Sequence, residues 1–151
     1  MTAVVLTAVI ALAGAPQPPA TAGSPHIVFV CEHGAAKSLI ASAYFNKLAA
    51  ERGLAARAVF RAVDPQDALS VRAVAGLKGD GFAIPDERPT ALAAADVAAA
   101  THIFSIGCTL PQAAAASGKA QSWDDVPDDQ GYAPMRDAIV RHVRTLLDSL
   151  R

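Results

Sequence analysis

Only two cysteines, Cys31 and Cys108, occur in the 151 residues of this chain. So few thiols exclude a disulfide framework and a zinc site built from cysteines. A surplus of one charge sign is also missing. The net charge is −1, which removes any strong electrostatic draw toward nucleic acid or an anionic membrane. No internal repeat is visible. The apolar run Val4–Ala13 is about ten residues long, well short of the roughly 20 that a bilayer span needs. Finally, residues 1–25 carry no charged side chain, and every charge lies from His26 onward.

That uncharged stretch has the layout of an export signal. Val4–Ala13 has the length of a signal-peptide apolar segment, and small-residue cleavage sites follow it. Ala13-Gly14-Ala15 is one, with Pro16 unfavourably placed directly after it; Ala20-Thr21-Ala22 is the better. The expected organisation is a signal peptide over residues 1–22, a short linker over 23–25, and one globular domain over 26–151. Cleavage would leave no membrane span and a periplasmic or secreted product. An uncleaved segment would instead act as a tether, and a misassigned start would leave a cytoplasmic domain. In an oxidising compartment Cys31 and Cys108 could form one disulfide.

With 52% apolar residues, the domain has enough chain for a real core. His26–Cys31 (HIVFVC) reads as a strand buried on both faces. A helix follows over Ala36–Arg52, with Ile40, Ala43, Tyr44 and Leu48 on one face and Gly53 at its C-cap. Ala56–Val63 is a second strand, ended by Asp64-Pro65. Ala68–Lys78 is expected to be helical, with Leu69, Val71, Val74 and Leu77 apolar. Thr90–Ala100 is a further helix, His102–Ile106 a third strand and Ala120–Trp123 a short fourth. Pro134–Leu150 closes the chain as a helix with Ile139, Val143, Leu146 and Leu147 inward. On it, Arg136, Arg141, Arg144 and Arg151 are expected to lie exposed. Alternating strands and helices imply an α/β domain of three layers around a four-stranded parallel sheet. Cys31, Cys108 and the acidic loop Asp124–Asp129 each follow a strand, so all three gather at the edge where such sheets bind ligands.

The chemistry concentrates in the loop Cys31-Glu32-His33-Gly34-Ala35-Ala36-Lys37-Ser38 (CEHGAAKS). A cysteine ends a strand and a basic residue and serine open a helix. This spacing sets one thiol beneath backbone N–H groups at a helix N-terminus, where donors and dipole favour an anion. The same surroundings favour thiolate, the nucleophilic form. His33, Gly34, Ala35, Ala36, Lys37 and Ser38 are the expected oxyanion-binding residues, Lys37 supplying charge and His33 a second positive group. Trp123 is expected to pack in the core or at its rim, and His102 to be structural. No metal or cofactor is called for.

From His26 to Leu150 the chain resembles the low-molecular-weight protein tyrosine phosphatases, and in particular their arsenate reductase branch. In that family the first strand ends in C-x-x-N-x-x-R-S. The resemblance implies that Cys31 is the nucleophile and Ser38 the thiolate-supporting hydroxyl. Trp123-Asp124-Asp125-Val126-Pro127-Asp128 resembles the family's W-x-x-P-D-P loop, which implies Asp128 as the acid, with Asp125 the alternative. Ser105-Ile106-Gly107-Cys108 resembles the reductase segment whose cysteine resolves the first as a disulfide.

Departures from the family pattern are specific. Lys37 stands where the family has arginine, so a point charge on a flexible stem replaces a planar fork. Losing one oriented oxyanion donor costs on the order of 2.7–4 kcal/mol of transition-state stabilisation. Gly34 replaces the loop asparagine, Asp129 the proline after the acid, and Arg61-Ala62-Val63 a small Ser-Ala-Gly run. No third cysteine follows Cys108. The resemblance implies a cysteine-dependent phosphomonoesterase acting on phosphorylated substrates. Two alternatives stand beside it: an arsenate reductase using Cys31, Cys108 and a thiol reductant, and a catalytically degenerate module that holds an oxyanion or a partner.

Overall fold

The computed structural model describes residues 23–151; the segment expected to be a signal peptide, 1–22, lies outside the described residues. Nine elements follow in order: β1 (His26–Cys31), α1 (Lys37–Glu51), β2 (Arg57–Ala62), α2 (Val71–Gly79), α3 (Ala94–Ala99), β3 (His102–Ser105), α4 (Gln112–Ala115), β4 (Ala120–Ser122) and α5 (Tyr132–Ser149). The four strands form one sheet in the order β2-β1-β3-β4, every pairing parallel. Among the described residues no helix is long and apolar enough to cross a membrane.

β1 is central because its sequence is apolar on both faces. Ile27, Phe29 and Cys31 point into the larger core with α1, α2 and α5, while Val28 and Val30 join Ile103, Ala100 and Ala114 on the opposite face. The chain moves from β1 to β2 on one side and later to β3 on the other. That reversal opens a crevice beyond the carboxyl end of β1, the place where open α/β sheets take ligands.

Helix α1 stops where Gly53 enters the left-handed region (φ +68°). The N–H groups of Leu54 and Gly53 then donate back to Ala49 O and Ala50 O at 2.9 and 3.0 Å, closing the helix end. Helix α5 carries Pro134 in its first turn, where no N–H is needed. It buries Met135, Ala138, Ile139, Val143, Leu146 and Leu147 in the larger core, packing alongside α1 and α2.

Three expectations are corrected. Helix α2 begins at Val71 rather than Ala68, because Ser70 caps it (Ala73 N donates to Ser70 Oγ, 3.3 Å) and Ser70 N is drawn to Ala35 O. Val71 is 84% exposed and takes no part in the core, which Ala73 and Leu77 fill instead. The helix expected from Thr90 starts only at Ala94. Residues 90–92 run along the free edge of β2, exchanging bonds with Ala62 N and Ala62 O at 2.9 Å. Arg136 is half-buried, its guanidinium on Asp80.

Candidate active site

Cys31 ends β1, only 4% exposed, beside Ala62 of β2. Beyond it the chain turns its carbonyls outward. Asp64 N donates to Glu32 O (2.8 Å), Gln66 N to His33 O (3.4 Å) and Ser70 N to Ala35 O (3.0 Å). In a trans peptide the next N–H points the opposite way, so those of His33, Gly34 and Ala36 face the inside of the turn. Among the described residues, nothing accepts a hydrogen bond from the N–H groups of Glu32 to Ala36. The free N–H groups of the first turn of α1 continue the same ring. This is an anion cup with its donors unspent.

Gly34 makes the turn possible. Its φ is +63°, and a Cβ there would lie 2.8 Å from the Ala62 Cβ. The loop therefore rests directly on the end of β2, and an asparagine at this position would not fit. At the floor of the cup Ser38 Oγ lies 3.1 Å from Cys31 Sγ, both buried. That hydroxyl can donate to a sulfur anion.

Lys37 is 8% exposed. Its Nζ makes an ion pair with Asp128 Oδ1 at 2.7 Å, and a Cβ on Gly107 would come within 2.6 Å of the same nitrogen. One side chain thus ties the N-terminus of α1 to the loops after β3 and β4. Cys108, next to Gly107, is half-buried, and its Sγ donates to Val30 O at 3.5 Å, the carbonyl just before Cys31. Burial, and then the neighbouring Cys31, push the Cys108 thiol up to about 11. Both cysteines are free thiols.

No protein-family model and no curated protein matches the chain. Solved structures do. A thioredoxin-dependent arsenate reductase of Corynebacterium glutamicum superposes with a TM-score of 0.71 at 21% identity, covering 86% of this chain and 63% of its own. The chain thus spans less than two thirds of that protein. A low-molecular-weight protein tyrosine phosphatase from T. tengcongensis gives 0.71 at 21% identity, over 83% of this chain and 99% of its own. An arsenate reductase in a phosphate-binding state gives 0.70 at 16%, over 84% and 99%. The fold is that of the low-molecular-weight tyrosine phosphatases and arsenate reductases.

On this phosphatase–reductase fold the acidic loop splits into separate roles. Asp128 faces Lys37, whereas Asp125 accepts from His142 Nε2 at 2.6 Å and Asp124 accepts from Ser122 Oγ. The His142 hydrogen bond holds the Asp125 carboxyl below the ordinary carboxylate range. Trp123, 7% exposed, is core packing as expected, against Phe29 and Phe104, with the His142 ring stacked on it at 4.7 Å. The His33 ring turns to Asp64 O (3.1 Å), a tie between two loops rather than a contact with Cys31 or Lys37. His102 stacks on Phe104, a structural place.

Sequence reasoning missed two groups. His142 lies 17 residues beyond Asp125, and only its spacing within α5 hinted that it faces the sheet edge. The second is Asp80, whose carboxylate accepts from Tyr44 (2.7 Å), Tyr132 (2.6 Å) and Arg136 (3.1 Å), clasping α2 to α1 and α5. Arg61 grips Asp96 through two nitrogens at 3.0 Å, which accounts for an arginine where the family keeps small residues. Among the described residues, no three His, Cys, Asp or Glu side chains converge as a metal set would.

Proposed function

We propose that the domain is a cysteine-dependent phosphomonoesterase. The observation that carries this reading is Cys31 beneath a ring of uncommitted N–H groups, with Ser38 at the sulfur and Lys37, at the N-terminus of α1, paired with Asp128. The Cys31 thiolate attacks phosphorus and the bond to the leaving oxygen breaks. Asp128 gives that oxygen a proton, so an alcohol departs and a phosphocysteine remains. Water then attacks phosphorus, Asp128 takes its proton, and inorganic phosphate leaves with the thiolate restored. Loop N–H groups and Lys37 balance charge on the transferring oxygens. Lys37 keeps the charge that an arginine would bring but not the two-pronged grip.

The test is aryl phosphate hydrolysis by the wild type, Cys31→Ser and Lys37→Arg. The expected result is turnover that vanishes in Cys31→Ser and rises in Lys37→Arg. Tight phosphate binding without turnover in any variant would instead mark an oxyanion-holding module. With residues 1–22 acting as a signal peptide, the proposal puts the domain in the periplasm or outside the cell.

A second reading is favoured by the Cys108 sulfur lying on the carbonyl before Cys31. Here Cys31 attacks arsenic(V) and water leaves, forming a thiol–arsenate adduct. The Cys108 thiolate attacks the Cys31 sulfur, the sulfur–arsenic pair passes to arsenic, and arsenite departs from a Cys31–Cys108 disulfide. A thiol reductant must then restore both cysteines. Thiol titration checks this reading: two thiols should vanish per arsenate reduced, and none in Cys108→Ser.

A further inference from the structure

We propose that His142 and Asp125 are positioning residues that hold the acidic loop so that Asp128 reaches the leaving group; this rests on the phosphomonoesterase reading above. The loop is otherwise lightly held. Asp124, Asp125 and Asp128 are exposed, and Asp128 is tethered to the rest of the domain by Lys37. That tether is tied to the cup itself. An oxyanion entering the cup takes a share of the Lys37 charge and loosens the Lys37–Asp128 pair at the moment the acid must be in place.

The contact between Asp125 and His142 does not depend on the cup. It spans 2.6 Å and joins the loop to α5, whose Ile139 and Val143 are fully buried on either side of His142. The imidazole is itself backed by Trp123, stacked at 4.7 Å with 12° between the rings. Trp123 in turn is fixed by Phe29 and Phe104 and by its backbone N–H donating to Ser105 O at 2.8 Å. A chain of packed rings therefore runs from the core to Asp125, three residues before the acid. Val126, 6% exposed, pins the intervening turn.

The experiment compares kcat/KM for phenyl phosphate, whose leaving oxygen needs a proton, with p-nitrophenyl phosphate, whose leaving group departs without one. His142→Phe keeps a ring on Trp123 and removes Nε2. Asp125→Ala removes the acceptor from an exposed side chain and leaves the core untouched, while Asp125→Asn keeps an acceptor. Misplacing a catalytic group by about 1 Å costs on the order of 100-fold. The expected result is a loss of roughly 10- to 100-fold on phenyl phosphate in His142→Phe and Asp125→Ala. Loss on p-nitrophenyl phosphate should be about twofold or less, with substantial rescue in Asp125→Asn and an unaltered inhibition constant for phosphate. Equal losses on both substrates, or no loss on either, would overturn the positioning role while leaving the phosphomonoesterase reading intact. A wild type that cleaves neither substrate would overturn that reading, and the positioning role with it.

Discussion

Asp128 carries opposite consequences for binding and for turnover, and Asp128→Asn separates them. Its carboxylate sits 2.7 Å from the Lys37 ammonium, the place an incoming oxyanion competes for. Removing that negative charge frees Lys37 and withdraws a repulsion, so phosphate should bind more tightly. The side chain is 71% exposed, so solvent screens the pair, and an ion pair of this kind is worth about 0.2–1 kcal/mol. The gain in affinity is then roughly 1.4- to 5-fold at low salt, shrinking as ionic strength rises. Turnover moves the other way. Loss of the acid should cost about 10²- to 10⁴-fold on phenyl phosphate, and far less on p-nitrophenyl phosphate. Phosphate affinity is read from competitive inhibition and confirmed by calorimetry; turnover is read from phosphate release. Weaker phosphate binding in Asp128→Asn, or unchanged cleavage of phenyl phosphate, would refute the reasoning.

Asp80→Ala strips the acceptor from two phenols and a guanidinium, and should lower stability by about 1–3 kcal/mol, measured by urea unfolding. The sign of its pH dependence follows from its partners. Hydrogen bonds from Tyr132, Tyr44 and Arg136 hold the Asp80 carboxyl below its ordinary value of 3.8. Its contribution is therefore complete above that value and is lost as pH falls through the lowered one, so the gap between wild type and Asp80→Ala should narrow below about pH 4. Gly34→Ala combines a left-handed backbone, costing about 1–2 kcal/mol, with a 2.8 Å clash on Ala62. Thermal melting should show the loss, and phosphate binding should fall with it as the cup opens; an intact cup in this variant would contradict the geometry.

Sequence alone disclosed what rests on local pattern. The apolar run His26–Cys31 has the pattern of a strand buried on both faces, Gly53 stands where a helix C-cap belongs, and the family resemblance implies the Ser38 hydroxyl at the Cys31 sulfur. The gathering of Cys31, Cys108 and the Asp124–Asp129 loop at one sheet edge also follows from the strand pattern, whereas the pairing of Lys37 with Asp128 does not. What stayed hidden depends on tertiary competition. Val71 satisfies helical spacing as well as Leu77 does, yet the short α2 offers the core only its Ala73–Leu77 side. Residues 90–92 look helical by composition, but the free edge of β2 claims their backbone groups. Arg136 looks like any arginine on an exposed face until Asp80, 56 residues away, is folded against it. His142 carries no motif, and its link to Asp125 exists only because α5 passes under the acidic loop.

Cys108 sets a pH division between the two chemistries proposed for this cup. Resolution of an arsenate adduct requires the Cys108 thiolate, and burial together with the nearby Cys31 raises this thiol to about 11. Below that value its thiolate fraction grows about tenfold per pH unit, so arsenate-driven disulfide formation should accelerate steadily from neutral toward alkaline pH. Phosphoester cleavage makes no use of the Cys108 thiolate, so it should not share this rise. The two rates, followed on one preparation by thiol titration and phosphate release, are expected to part, arsenate-driven disulfide formation rising with pH while phosphate release does not follow it. Alkylation supplies the control. In Cys31→Ser one cause of the raised Cys108 value disappears, so iodoacetamide should modify Cys108 faster at any fixed pH below 11. Slower or unchanged alkylation would mean that Cys31 does not help hold the Cys108 thiol up.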